Sequence, residues 1–306
     1  MIFQKLDRIA RKAREHSHKR QCGALLTTPL IVPQDDGVIL FSMIGTAVVL
    51  PYLLAIKSLH HQLRRGRIVL LDDGTLTVAD KAVLAEQLGN PDIIPISSVE
   101  TGVCPKGGTW ERLLTIQRLR AENYVVQLDS DTVTLGPVDE VAAAIAANRS
   151  FTLSGGEEEA PFGFLPLPDF LKTFYPGGPA DGHIQGFFES RIMRLPRSET
   201  RRYARGCSGF AGFSKGTDRL EAMIEFSQSA QAFCGLRWSE WGTEQITSNY
   251  LIANEDGARL LPYNHYMNYW NAPWASDMRF VHFVGAWRYA NDSYSRATAQ
   301  VVAALK

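Results

Sequence analysis

Between Val38 and Asn148 the sequence alternates short apolar runs with longer amphipathic stretches, and this alternation restricts the fold more than any other feature. The apolar runs lack the alternation of polar and apolar residues that marks a strand with one solvent-exposed face. They are therefore typical of strands in a sheet whose two faces are both buried. The stretches between them repeat apolar residues at helical spacing. Strands that alternate with helices predict an α/β fold, with a mostly parallel sheet flanked by helices.

The expected elements follow this pattern along the chain. Strands are predicted at 38–44, 67–71, 93–96 and 124–128, and helices at 48–63, 77–88, 110–120 and 138–148. The stretch 37–56 carries no charge and is long enough to span a bilayer. Gly45 and Pro51 interrupt it, however, so a buried strand, a loop and a helix explain it better than a single membrane helix does.

Composition excludes several classes of protein. The 306 residues include 45% hydrophobic and 21% charged ones, which is typical of an ordered globular chain. Lys plus Arg and Asp plus Glu both number 32, so no excess of positive charge indicates a nucleic-acid partner. The four cysteines form no CxxC pair, which argues against a zinc site and a disulfide framework and favours reduced thiols in the cytoplasm.

Residues 1–36 form an N-terminal basic segment and lead-in. Lys and Arg dominate residues 1–20, and apolar residues recur there at helical spacing, which predicts a short basic amphipathic helix. We expect this helix to be solvated and docked on the domain. The alternative is a weak, peripheral contact with the inner face of a membrane.

Two acidic pairs follow predicted strands. Asp72 and Asp73 follow one strand, and Asp129-Ser130-Asp131 follows another. Ligands of parallel sheets bind beyond the carboxyl ends of the strands, and carboxylates two residues apart in extended backbone project to the same side. Hard divalent cations prefer such oxygens and can bridge them to a diphosphate. We therefore predict a Mn²⁺ or Mg²⁺ site at Asp129 and Asp131.

The character of the chain changes after Ser150. Glycine, acidic and proline residues at 155–168 predict a loop, and the remainder is rich in aromatic residues, most densely between Trp238 and Trp274. Sugars present apolar C–H faces that pack on aromatic rings, so this density favours a carbohydrate-binding region. Each single ring is nevertheless expected to lie in the core.

Two motifs in this half carry candidate site residues with open interpretations. The glycines around Ser208 and Gly209 allow a close backbone approach to a ligand, and a strand bulge explains them equally well. Thr243 is expected to cap a helix that holds Glu244 in its first turn. Glu244 is then either a catalytic or sugar-binding carboxylate or an ordinary first-turn acid.

A third motif places a histidine inside an apolar strand. His282 is followed by Gly285 and Arg288, so a backbone turn and a cation lie close behind it in sequence. Most histidines in strands are hydrogen-bonded core residues. Because Arg288 offers a partner for a diphosphate, a metal ligand is an equally supported interpretation of His282.

Taken together, these motifs resemble glycosyltransferases of the GT-A fold. The matching pieces are Leu128-Asp129-Ser130-Asp131, Ser208-Gly209, Glu244-Gln245 and the run from His282 to Arg288. The chain is most similar to the glycogenin-like and bacterial galactosyltransferase-like retaining family. This resemblance implies a GT-A (Rossmann-like) domain at 37–306, with a nucleotide-binding half at 37–150 and an aromatic-rich sugar and acceptor half at 151–306.

The resemblance also implies what the individual residues do. Asp129, Asp131 and His282 would hold Mn²⁺. Arg288 would neutralise the leaving diphosphate, and Glu244 would support the reacting sugar. The implied substrate contacts are Asp72, Asp73, Arg112, Ser208, Gly209, Gln245, Gly285 and Trp287. The implied reaction moves a sugar with retention from a nucleotide-diphosphate donor, expected to be a UDP-sugar, to a carbohydrate or glycolipid acceptor.

Two other functions are compatible with parts of the sequence. Asp129-Ser130-Asp131-Thr132-Val133 also fits the signature of haloacid-dehalogenase-like phosphatases, in which the first aspartate accepts the phosphoryl group. That motif usually lies on the first strand, whereas here a whole α/β unit precedes it. The third interpretation is a non-catalytic sugar-binding module that kept the fold.

Overall fold

Helices and strands alternate through the first half of the chain as predicted. The computed structural model describes residues 2–216 and 219–306, with side chains from Arg8 onward, so Met1 and the side chains of residues 2–7 in the predicted basic helix lie outside the described part. The helices are α1 (Ile2–Cys22), α2 (Val49–Leu63), α3 (Val78–Leu88), α4 (Trp110–Leu119), α5 (Asp139–Ala146), α6 (Leu167–Phe174), α7 (Ile184–Glu189), α8 (Arg219–Cys234), α9 (Thr243–Ala253) and α10 (Ser293–Ala304). The strands are β1 (Val38–Ile44), β2 (Arg67–Asp72), β3 (Asp92–Pro95), β4 (Tyr124–Leu128), β5 (Thr132–Thr134), β6 (Phe151–Ser154), β7 (Leu165–Pro166), β8 (Arg202–Tyr203), β9 (Gly206–Phe213), β10 (Arg259–Leu260), β11 (Tyr266–Asn268) and β12 (Phe280–His282).

The chain divides into two compact units, and the first comprises Met1–Pro95, Leu128–Ala142 and Tyr263–Lys306. In this unit β1 pairs in parallel with β2, and β2 pairs in parallel with β3. A second, small sheet places β12 between β11, which is parallel to it, and β5, which is antiparallel. Helix α1 packs on α10 and α2, so the N-terminal helix is docked as expected.

The second unit comprises Ile96–Gln127 and Ala143–Pro262. Its strands lie in the order β10-β6-β9-β4, with β6 parallel to β10 and antiparallel to β9. The pairing of β6 with β9 shifts register between Thr152, which faces Ala211, and Leu153, which faces Cys207. The glycine motif of β9 therefore forms a strand bulge, one of its two predicted interpretations. Together these elements give the predicted α/β fold, a mostly parallel central sheet flanked by helices.

Local sequence signals explain where several helices begin and end. Helix α3 starts with a capping box, in which the Thr77 hydroxyl accepts from the Asp80 amide while the Asp80 carboxylate accepts from the Thr77 amide. It ends at Gly89, whose left-handed backbone suits a residue without a side chain. Among the described residues, no helix combines the length and the apolar character that crossing a bilayer requires.

The prediction of a loop at 155–168 is wrong in part. Leu165 pairs with Tyr203 across β7 and β8, and α6 already begins at Leu167. Pro168 gave a loop signal, but it occupies the first turn of this helix, where an amide proton has no helical partner in any case. A proline in the first turn of a helix was therefore misinterpreted as part of a loop.

Most of the aromatic rings of the second half pack in the core, as expected for individual residues. Trp238 is fully buried, and its indole nitrogen donates to the Ser227 hydroxyl at 3.0 Å. Its ring lies 5.4 Å from that of Phe188 and 6.0 Å from that of Phe226, between centroids. The large exposed exceptions among the tryptophans are Trp241, Trp270 and Trp287. The aromatic density of this region therefore reflects packing for the most part.

Candidate active site

Asp129 and Asp131 lie in the turn between β4 and β5, where a buried strand gives way to polar residues. Because β5 pairs antiparallel with β12, His282 lies opposite Thr132. The Phe283 amide donates to the Asp131 carbonyl oxygen at 2.9 Å, and the Thr132 hydroxyl donates to the Asp129 carbonyl oxygen at 2.9 Å. Strand pairing therefore brings His282 to the acidic turn, although nearly half of the chain lies between β5 and β12 in the sequence.

The three predicted metal ligands form one compact cluster. Each of Asp129, Asp131 and His282 offers a ligand atom, and these atoms lie within 4.8 Å of one another. The His282 Nε2 atom is 3.2 Å from Asp131 Oδ1, and Arg288 Nη2 contacts Asp131 Oδ2. Asp131 and His282 are buried, whereas Asp129 is half-buried. The structure thus brings Arg288, the predicted diphosphate partner, to the same carboxylate.

The electrostatics of the cluster keep Asp131 ionised. Burial is the largest single influence on its pKa and favours the neutral form. The charge and hydrogen bond of His282, together with the charge of Arg288, outweigh burial and lower the pKa of Asp131. A buried carboxylate that stays charged requires cationic partners, and this cluster supplies them.

The cluster fits a divalent cation by its donor set. Two carboxylates and one imidazole are ligands that Mn²⁺ accepts, and carboxylate oxygens also suit Mg²⁺. Opposite ligands of one ion with bonds of roughly 2.1 Å lie about 4.2 Å apart, which is compatible with ligand atoms that all lie within 4.8 Å of one another. An ion at this position would take over from His282 and Arg288 in balancing the charge of Asp131.

Asn268, which no sequence pattern singled out, orients His282. Asn268 lies opposite His282 in the parallel pairing of β11 with β12, and its Oδ1 atom is 2.8 Å from His282 Nδ1. Because a carbonyl oxygen only accepts, this bond needs a proton on Nδ1 and places Nε2 toward the acidic turn. In the charged imidazolium Nε2 donates to Asp131, whereas in the neutral ring its lone pair would be available to a metal ion. Metal-binding histidines commonly have such a partner on their other nitrogen. A three-residue strand carries no periodic signal from which this pairing could be predicted.

A cavity of about 120 Å³ lies beside Asp131 and Arg288. Glu15 and Lys19 of α1 line it, as does Tyr289. The Lys19 ammonium pairs with the Glu15 carboxylate at 2.9 Å. The sequence predicted α1 but gave it no place in the site, because the docking of a helix depends on tertiary packing.

Gly285 and Trp287 lie in the turn that carries Arg288. A short 3-10 turn spans Gly285–Trp287, and the backbone φ of Gly285 is +44°, in the left-handed region that glycine adopts easily. The Arg11 guanidinium of α1 donates to the Ala286 carbonyl oxygen at 2.8 Å and so holds this turn. The side chain of Trp287 is 39% exposed.

Asp72 and Asp73 organise the turn after β2. Two backbone amides donate to Asp72 Oδ1 at 2.9 and 3.2 Å, and Lys81 Nζ is 2.8 Å from Asp72 Oδ2. Burial favours the neutral form of Asp72, but the bonds from Lys81 and the amides outweigh it and lower the pKa. Asp73 is exposed and accepts from the amide and the hydroxyl of Thr75 at 2.9 and 2.6 Å. Their predicted contact with a nucleoside remains a prediction.

Glu244 and Arg112 form a buried ion pair in the second unit. Arg112 Nη2 lies 3.0 Å from Glu244 Oε2 and donates to the Ser208 hydroxyl at 3.0 Å. The Thr109 hydroxyl donates to the same carboxylate oxygen at 3.1 Å. Glu244 is 1% exposed and Arg112 is 5% exposed, so Glu244 is not an ordinary first-turn acid and Arg112 is not a surface charge.

The start of α9 differs from the prediction. Gly242, with a left-handed backbone, precedes the helix at the cap position, and Thr243 is its first residue. The Thr243 hydroxyl instead donates to the Glu240 carbonyl oxygen at 3.1 Å and accepts from the Trp110 indole at 2.9 Å. A buried indole donor needs an acceptor, and that demand outweighs the usual preference of threonine for the cap.

Gln245 and the Ser208-Gly209 bulge lie in the same cluster as Glu244. The Ser208 amide donates to Gln245 Oε1 at 3.2 Å, and Gln127 Nε2 donates to the Ser208 carbonyl oxygen. These contacts fix the bulge of β9 against α9. The structure thus brings together Arg112, Ser208, Glu244 and Gln245, which the sequence singled out from three separate stretches.

The site thus lies in an α/β fold, where an acidic turn follows a buried strand and is faced by a histidine and an arginine. No family model matches the chain, and a search of curated proteins finds no match. Among solved structures, the apo form of the WbbM bifunctional glycosyltransferase is similar over 90% of this chain and 51% of its own, with a TM-score of 0.52 and 14% identity. The chain therefore spans about half the length of that protein. The apo form of mouse xyloside xylosyltransferase 1 is similar over 80% of this chain and 97% of its own, with a TM-score of 0.45 and 12% identity.

At 14% identity the similarity to WbbM concerns the fold. The α/β glycosyltransferase fold that the sequence predicts is confirmed. The glycogenin-like subfamily, the metal and the site residues stay predictions, and they are taken up as proposals below.

Proposed function

We propose that this chain is a metal-dependent glycosyltransferase that moves a sugar from a nucleotide-diphosphate donor to a carbohydrate or glycolipid acceptor. The observation that carries the proposal is the cluster of Asp129, Asp131 and His282 beside Arg288. The similarity of the fold to that of a glycosyltransferase supports this reaction over the phosphatase alternative, whose motif usually lies on the first strand, whereas here the acidic turn follows β4. A UDP-sugar is the proposed donor.

Arg288 is the proposed partner of the donor diphosphate. Its guanidinium contacts Asp131 in this structure. Burial alone would lower the pKa of Arg288, but the charge of Asp131 outweighs burial and raises it. The side chain is 28% exposed and borders the cavity that Lys19 also lines. A guanidinium can therefore turn from Asp131 to phosphate oxygens without leaving the site, and it pairs with phosphate in bidentate geometry.

The proposed chemistry is stabilisation of the charge that grows on the leaving diphosphate. A divalent cation bound by Asp129, Asp131 and His282 would supply Lewis-acid stabilisation of that charge. Arg288 would add a second, fixed positive charge, and the burial of Asp131 and His282 would strengthen these interactions by excluding water. Asn268 would hold the His282 ring so that Nε2 faces the bound ion.

The cluster around Glu244 is proposed to contact sugar hydroxyls. Its carboxylate already accepts from Thr109 and Arg112, so it is fixed in orientation before any ligand binds. Gln245 and the bulge at Ser208 and Gly209 would add polar contacts from the amide and the backbone. If transfer inverts the sugar, Glu244 is the first candidate for general base; with retention it supports the oxocarbenium-like centre.

Two further assignments from the sequence are kept as proposals. Asp72 and Asp73 would contact the nucleoside, and Gly285 and Trp287 would contact the donor from the turn that carries Arg288. We also propose a cytoplasmic location, in which the exposed basic face of α1 could contact the inner face of a membrane. The packing of α1 on α10 supports the docked arrangement.

The metal site is tested by replacing Asp131. We expect Asp131→Ala to reduce Mn²⁺-dependent binding of UDP by about a hundredfold or more, because it removes both a metal ligand and the partner of Arg288. Titration calorimetry of UDP with Mn²⁺ and with EDTA measures this. The exposed Asp256 provides a matched control, since Asp256→Ala removes one carboxylate elsewhere on the surface. Equal Mn²⁺-dependent affinity in the two variants would show that Asp131 is not part of the site.

A further inference from the structure

A second cavity lies wholly within the second unit. Residues of α4, α8 and α9 line it, together with the turn that precedes β8. Its volume is about 160 Å³, well above the roughly 10–15 Å³ that a single water needs. The residues that line it in the described part of the unit include none of those assigned to the metal, the donor or the acceptor.

Three guanidinium groups line this cavity. They belong to Arg197, Arg201 and Arg219, which come from three separate positions in the chain. Tyr250 lies among them: burial raises the pKa of its hydroxyl, and the charges of Arg201 and Arg197 oppose that rise. The charges of Arg201 and Arg197 therefore reach the Tyr250 hydroxyl in the cavity wall.

The acidic residues that line this cavity are fewer than the arginines. They are Glu225, which is exposed, and Glu255. Arg120 already pairs with Glu255 in a buried contact of 2.7 Å, and the Ser214 hydroxyl donates to the same carboxylate at 3.0 Å. Arg120 is the main partner of Glu255, and the charge of Arg219 also acts on it. With Arg120 paired to Glu255, the three arginines of the cavity still outnumber its acids.

Several N–H groups at the wall lack an acceptor among the described residues. The Nε atoms of Arg201 and Arg219 are buried without a partner, and so is the Nε2 atom of Gln117. Gln117 is 2% exposed, and its Oε1 atom accepts from Arg120 at 3.5 Å, which leaves the amide nitrogen for the cavity. Buried donors in folded proteins are almost always paired, so three of them around one cavity indicate an acceptor from outside the chain.

We propose that this cavity binds the phosphate group of a small phosphate monoester. A tetrahedral oxyanion can accept from donors that converge from three elements, and guanidinium groups match phosphate geometry. Phe226 and Leu251, both buried in the same wall, offer an apolar surface for the rest of the ligand. This site goes beyond the proposed transfer reaction and needs no metal ion.

The test is titration calorimetry on the full chain in EDTA at constant ionic strength. The probes are inorganic phosphate and glucose 1-phosphate, which separate binding of the phosphate group from recognition of the ester. We expect wild type to bind glucose 1-phosphate more tightly than inorganic phosphate. Arg201→Gln should weaken both by about tenfold or more, because a charged donor is lost. The neighbouring, exposed Arg202 is the matched control, since Arg202→Gln removes the same charge outside the cavity.

A second variant keeps the proposal testable if Arg201→Gln does not fold. Gln117→Glu preserves the shape of the side chain and the acceptor for Arg120, but replaces the amide donor with a carboxylate that repels phosphate. It should lose phosphate binding to the same extent. Asp131→Ala should bind both probes as wild type does, whatever becomes of the transfer reaction. The proposal is overturned if wild type binds neither probe, if the cavity variants bind like Arg202→Gln, or if Asp131→Ala alone abolishes binding.

Discussion

At the scale of single residues, the contact between His282 and Asn268 decides which imidazole nitrogen faces the acidic turn. Without it the buried ring could rotate, or in its neutral form carry its proton on Nε2, and Nε2 would then offer no lone pair to a metal ion beside Asp131. We therefore propose Asn268 as a positioning residue that would act on a bound metal ion through His282. It is fully buried, so solvent does not compete for its amide.

Replacement of Asn268 tests this positioning. We expect Asn268→Ala to weaken Mn²⁺-dependent binding of UDP by about tenfold or more, which is the usual effect of losing such a partner. The fold should survive, since one neutral hydrogen bond contributes about 1 kcal/mol. Calorimetry on Asn123→Ala provides the comparison, because Asn123 donates to a helix carbonyl oxygen instead. Equal affinity of the two variants for UDP and Mn²⁺ would show that Asn268 does not position His282 for a metal ion.

Residues whose role follows from local sequence were predictable, and those whose role follows from tertiary pairing were not. Asp129 and Asp131 could be singled out because a buried apolar strand runs directly into them. Asn268 and Lys19 could not, because each reaches the site through the packing of a distant element. Glu244 was found by its position at a helix start, but its burial against Arg112 was visible only in three dimensions.

At the scale of elements, the docking of α1 on α10 rests on His18. Its ring stacks on Tyr294 at 3.8 Å between centroids, and its Nε2 atom is 2.9 Å from the Thr298 hydroxyl. Burial is the main reason that its pKa is lowered to about 4, and the charges of Arg288 and Lys19 lower it further. The other titratable groups around the ring are Cys22, Tyr289 and Tyr294. The docked helix therefore requires a neutral imidazole.

The stability of the fold should consequently depend on pH through His18. The pKa is about 4 in the folded chain and roughly 6.5 when unfolded, so between these values only the unfolded chain takes up the proton. This contribution is fully present above pH 6.5, falls as the pH drops toward 4, and amounts to about 3 kcal/mol in all.

Urea unfolding of wild type and His18→Gln at pH 7 and pH 4.5 measures this dependence. The loss of unfolding free energy between the two pH values should be smaller in His18→Gln than in wild type by most of that amount. His16 on the same helix is exposed, so His16→Gln should keep the wild-type dependence. The same loss in all three proteins would show that His18 does not link pH to stability.

At the scale of the whole molecule, each compact unit is assembled from separated stretches of the chain. The first unit owes this to the pairing of β5 with β12, and the second to that of β6 with β9. Helical and strand periodicity predicted the elements before Asn148, since those segments are long and regular. Periodicity could not predict to which unit each later segment belongs. Strands such as β5, β11 and β12 are three residues long, which is too short to show a periodic pattern.

We propose that this fold uses the cluster of Asp129, Asp131 and His282 to transfer a sugar from a nucleotide donor. The most direct measurement is the release of UDP from a panel of UDP-sugars, with Mn²⁺ or with EDTA, by wild type and by Asp131→Ala. We expect release from at least one UDP-sugar that requires Mn²⁺ and falls by about a hundredfold or more in the variant. Release that is unaffected by EDTA or by the substitution would contradict the claim. So would the absence of release from every donor, together with an acyl-phosphate trapped on Asp129 from a phosphomonoester.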